Sequence, residues 1–133
     1  MPITYTYDAD ANIVYTSATG EVNAAELGEY FENLLADEKI SDRFWEIVNI
    51  EKVNNVTINY KDCVALSAFV KRFIKEKDYQ GALLYSPRKL PYLAARLFFA
   101  VLRTYFSITF FVSSDKQEFQ DLVFKHLKIK YDF

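Results

Sequence analysis

The chain has 133 residues, half of them hydrophobic and a quarter charged, with twelve Phe, ten Tyr and only three Gly and three Pro. That length is the size of one domain, read as 1–133, and the balance is globular rather than disordered. A formal net charge of −2 excludes a dedicated nucleic-acid binder, and the single Cys63 excludes an internal disulfide and fits a reducing, cytoplasmic compartment.

The opening MPITYTYDAD has no basic segment followed by an apolar run, so no signal peptide is expected. Ile3, Tyr5 and Tyr7 alternate with Thr4 and Thr6, the period of a half-buried strand. Asp8 to Asn12 supplies turn residues, and Ile13 to Gly20 resumes the strand pattern, so the first two strands read as a hairpin. Asn23 with Glu26 three residues on predicts a capping box, followed by Leu27, Tyr30, Phe31, Leu34 and Leu35 at helical spacing.

Phe44 to Ile50 is a strand dense in branched and aromatic residues, and Asn54-Asn55 is read as a turn after it. Asn59 caps a second helix whose apolar face is Cys63, Leu66, Phe69, Val70, Phe73 and Ile74. Tyr79 to Tyr85 has the continuous apolar character of a strand buried on both faces. Pro91 suits the first turn of a third helix running to about Tyr105. Ser107 to Val112 is a further strand, and Ser114 with Gln117 caps a last helix with core residues Phe119, Leu122, Val123 and Leu127. The fold class is therefore α/β, a mixed five-stranded sheet with an N-terminal hairpin, later strands parallel, and four helices in the order ββαβαβαβα.

This order, together with Thr19-Gly20-Glu21-Val22 leading into the first helix and Phe44-Trp45-Glu46-Ile47-Val48-Asn49-Ile50 leading towards the second, resembles the STAS domain of anti-sigma-factor antagonists. It looks most like the bacterial STAS-like proteins that lack the antagonists' switch. The resemblance implies a non-enzymatic regulatory or protein-interaction module. The antagonists carry a phosphorylatable Ser after an Asp at the start of the second helix. Here Ile58 and Asn59 stand at about that place, and Thr57 is the only nearby hydroxyl, a candidate phosphorylation site.

Catalytic and metal chemistry finds no constellation in the sequence. His126 lies towards the end of the last helix between Lys125 and Lys128, with no nucleophile or acid suggested by spacing, and Cys63 falls on a core face. One Cys and one His do not make a zinc site, and neither a metal nor a cofactor is expected.

The third helix stands apart. Tyr92, Leu93, Leu97, Ala100, Val101 and Thr104 read as one core stripe, yet Phe98, Phe99, Leu102, Tyr105 and Phe106 add apolar bulk elsewhere around the helix. Its polar face shrinks to Lys89, Arg96 and Arg103, spaced by seven, with Arg88 adjoining. Several readings follow. The extra apolar face is a protein interface, commonly a homodimer. It lines a pocket for a small hydrophobic anion whose head meets Arg88, Arg96 or Arg103. It touches a membrane surface peripherally. Or the helix is central and covered by the C-terminal tail through Tyr131 and Phe133. The stretch from Leu90 to Phe111 is interrupted by Pro91, Arg96, Arg103 and Thr104, so no spanning helix is expected.

Overall fold

A computed structural model describes residues 2–40 and 43–133. Five strands and four helices follow one another as β1 (Ile3–Asp8), β2 (Ile13–Asn23), α1 (Ala24–Ala36), β3 (Trp45–Thr57), α2 (Tyr60–Lys77), β4 (Gly81–Tyr85), α3 (Lys89–Tyr105), β5 (Thr109–Ser113) and α4 (Lys116–Leu127). The strands lie side by side in chain order, with β1 antiparallel to β2 and each later pair parallel. This is the ββαβαβαβα mixed sheet that the alternation of periods predicts.

The hairpin closes because Asp8 Oδ1 accepts from the backbone N–H groups of Asp10 and Ala11, and Asn12 takes positive φ. The capping box expected at Asn23 forms, and the cap expected at Asn59 proves to be a full box as well. Asn23 Oδ1 accepts from Glu26 N at 2.9 Å while Glu26 Oε1 accepts from Asn23 N at 3.0 Å. Asn59 and Asp62 repeat the exchange at 2.8 and 3.0 Å. At α4 the cap is Asp115, not Ser114: its carboxylate accepts from Glu118 N at 2.8 Å.

Two strands outrun their sequence signals. The Asn54-Asn55 pair does not turn. β3 continues through it because β2 also continues, past a shift in register at Gly20, and supplies a parallel partner as far as Asn23 opposite Thr57. Val53, fully buried, holds this extension against the core.

The sheet is covered differently on its two faces. On one, α1, α2 and α3 bury Val14, Val53, Phe44, Phe73, Phe98 and Phe110 among others in the main core. On the other, Phe119 and Val123 of α4 pack on Ile13, Ile47, Leu83 and Tyr85. The C-terminal tail lies on this second face. The Tyr131 ring is 5.3 Å from that of Phe119, and Phe133 is 4.6 Å from Tyr85. The expectation that Tyr131 and Phe133 cover the third helix is corrected by this placement: α4 and α3 are on opposite sides of the sheet. No helix among the described residues is long and apolar enough to cross a membrane.

Candidate functional site

β3 runs through the middle of the sheet, so its alternate side chains on the three-helix face are sealed by α1, α2 and α3. One of them is Glu46, 4 % exposed. Tyr30, from the inner face of α1, donates its hydroxyl to Glu46 Oε2 at 2.6 Å. Tyr79, from the α2–β4 connection, donates to Glu46 Oε1. Thr16 of β2 extends the network, its Oγ1 2.6 Å from the Tyr30 hydroxyl oxygen. The ion pair among the described residues is Arg72–Glu76 on the surface of α2, so Glu46 faces hydroxyls and not a cation.

A carboxylate moved out of water without a counter-ion costs several kcal/mol, which favours the neutral acid. Burial accordingly raises the Glu46 carboxyl above its ordinary range, against the opposing pull of the Tyr30 and Tyr79 hydroxyls. Burial and the neighbouring carboxyl together push both tyrosines well above the usual phenol range.

Glu46 lines an apolar cavity of about 80 Å³, walled also by Val70, Phe99, Leu102 and Phe110. A second cavity of about 80 Å³ lies beside it, under the N-terminal half of α3, with Ala94 and Ala95 in its roof and Val22, Ile50 and Val56 in its walls. Leu27, Tyr30, Val48, Leu84 and Phe98 border both cavities. The small side chains of Ala94 and Ala95 leave room where a larger residue would fill the space.

α3 sits over these cavities with an inward face that differs in part from the one its sequence suggests: Val101 is buried and Tyr105 exposed as expected, but other positions exchange. Phe98, Phe99 and Leu102, proposed as surface, are buried, with the Phe98 ring 6.2 Å from Phe31 and the Phe99 ring 5.2 Å from Phe110. Phe106, also proposed as surface, is half-buried against the main core. Leu93 and Leu97, proposed as core, are exposed, as is Leu90. The helix carries bulk on both sides, and the aromatic residues take the inside because Phe31 and Phe110 offer ring surfaces there.

The basic stripe is on the surface as expected, and its three arginines already have intramolecular partners. Arg88 donates to Asn54 Oδ1, Arg103 donates to Phe110 O at 2.7 Å, and the Arg96 guanidinium lies 5.8 Å from the centre of the Tyr92 ring. None of Arg88, Lys89, Arg96 and Arg103 lines either cavity. An anionic head in these cavities would meet Glu46 and no cation, so the basic residues proposed to hold such a head stand apart from this space.

Thr57 is the last residue of β3 and is exposed, two residues before the Asn59 cap. Cys63 is buried, as its place in the core stripe predicts. His126 is wedged between Trp45 and Phe111, its Nε2 without a hydrogen-bond partner, and burial together with Lys125 and Lys128 lowers its basicity. The sequence reading misses the Thr16–Tyr30–Glu46–Tyr79 cluster. The available signal is a glutamate at an inward position of an otherwise apolar strand.

The architecture is that of a SpoIIAA-like domain, the fold of STAS proteins and anti-sigma-factor antagonists. The chain superimposes on an uncharacterised protein of the DUF3478 family with a SpoIIAA-like fold from Shewanella loihica, with a TM-score of 0.52, 17 % sequence identity and 90 % of each chain covered. No family model matches the sequence, and no curated protein does. At that identity the likeness is one of fold.

Proposed function

We propose that the protein is a non-enzymatic interaction and regulatory module that self-associates through the outward ridge of α3. The observation that carries this reading is the row Leu90, Leu93 and Leu97, exposed by 62, 46 and 39 % on the helix side that faces away from the sheet. Spacings of three and four align them into one apolar strip, flanked by Lys89 and Arg96. A strip of this kind on a surface helix marks an association site, and a second copy presents the same strip across a two-fold axis. Sedimentation velocity tests the reading. The parent chain is expected to sediment as a dimer and a Leu93→Glu, Leu97→Glu variant as a monomer. A parent chain that is already monomeric at high concentration overturns it.

The cavities under α3 favour a second reading, a carrier or sensor for a small apolar ligand. Each is about 80 Å³ and apolar, and they share the walls Leu27, Tyr30, Val48, Leu84 and Phe98, so movement of those side chains would join them into space for one small ligand. Binding of toluene, followed by amide chemical shifts of the residues that border both cavities, tests this reading.

A further inference from the structure

We infer that the paired cavities form one binding site for a small apolar molecule bearing a primary ammonium group, with the ammonium seated on Glu46 and the apolar body lying beneath Ala94 and Ala95. The inference deepens the second reading above and rests on it.

Four observations carry it. Glu46 is the one charged residue on the walls of either cavity, and those walls contain no cation. Each carboxyl oxygen accepts one hydroxyl, Tyr30 on Oε2 and Tyr79 on Oε1, which leaves acceptor capacity on both. The two hydroxyls hold the carboxyl from two separate segments, and Thr16 in turn holds the Tyr30 hydroxyl, so the carboxyl's orientation is set before a ligand arrives. The rest of the space is apolar, supplied by residues such as Leu27, Val48, Leu84 and Phe98, and matches a hydrocarbon body.

The alternatives fail on charge or on chemistry. A carboxylate or phosphate head would itself be buried without a counter-ion, because the walls hold no cation. An ammonium supplies the missing counter-ion and three N–H donors. When the ammonium form enters, the Glu46 proton leaves to solvent and a buried ion pair takes the place of the neutral acid. No bond between heavy atoms forms or breaks. Tyr30 and Tyr79 are the other titratable groups on the walls. Their hydroxyls are held well above the usual range by burial and stay protonated, able to donate to the carboxylate.

The test is titration of the whole chain with three probes of one size, toluene, benzylamine and benzoate, followed by calorimetry and by amide chemical shifts. Benzylamine is expected to bind about tenfold or more tightly than toluene, the gain of a charge-assisted contact, and benzoate not to bind. Glu46→Gln keeps the shape and is expected to remove the preference for benzylamine while toluene binding is retained. Ala95→Met, which fills the roof without touching Glu46, is expected to weaken both. Toluene binding with no preference for benzylamine overturns the ammonium site and leaves the apolar-ligand reading standing. A preference for benzylamine that survives Glu46→Gln also overturns it. Binding by none of the three overturns both readings.

Discussion

The Tyr30 hydroxyl donates to Glu46 Oε2 at 2.6 Å, joining the inner face of α1 to the middle of the sheet across a sequence separation of 16 residues. The bond places a carboxyl in the core, where the neutral acid is the favoured form. That gives stability a pH dependence opposite in sign to that of a salt-bridged carboxylate. The native carboxyl titrates above its ordinary value of 4.5 because burial raises it. Between these two values the unfolded chain has lost the proton and the native chain keeps it. The contribution is therefore full below the unfolded value and is lost as pH rises through the native one.

The Glu46 contribution to the urea midpoint is accordingly expected to fall as pH rises above 4.5, read as the difference between the parent chain and Glu46→Gln, since His126, its basicity lowered by burial, acts in the opposite sense in both. An unchanged slope in the variant would assign the dependence to other groups.

The two sides of α3 should respond differently to truncation. Phe99 is 4 % exposed and packs on Phe110, so Phe99→Ala is expected to cost about 3–5 kcal/mol in denaturant unfolding. Leu93 is 46 % exposed, and Leu93→Ala in the monomer is expected to stay within about 0.5 kcal/mol. Equal losses at the two positions would contradict the face that the structure assigns.

Lys77 ends α2 buried, its Nζ donating to Asp37 O at 2.8 Å and Ile40 O at 2.7 Å. It ties the end of α2 to the stretch that follows α1. Lys77→Met keeps the stem and removes the donors, leaving carbonyls without a partner, with an expected loss of about 1–3 kcal/mol by urea unfolding.

Gly81 opens β4 at φ +143, and a Cβ there would lie 2.1 Å from Thr109 O of the neighbouring strand. That approach is backbone to backbone, so no side chain can move aside. Gly81→Ala is expected to cost about 3 kcal/mol or more, read as a lowered thermal midpoint and reduced yield of folded protein.

Local chemistry was readable without the structure. Asn23 with Glu26, and Asn59 as a cap, signal their helices because a cap is completed within four residues. The alternation of β1 and the apolar run of β4 reveal how many faces each strand buries, because side-chain period follows from backbone geometry alone. From these the element order follows, and with it the SpoIIAA-like fold.

Three things only the tertiary structure decided. β3 runs on through Asn54-Asn55 because β2 offers a ladder beside it, and a turn signal yields to hydrogen bonds supplied by another strand. The inward face of α3 was open because bulky apolar residues surround the helix, and Phe31 and Phe110 chose it. The Glu46 site draws on β2, α1, β3 and the α2–β4 connection, with Tyr79 33 residues from its partner. No spacing in a sequence encodes a meeting of that kind, since it exists only once the sheet and helices have closed around one buried carboxyl.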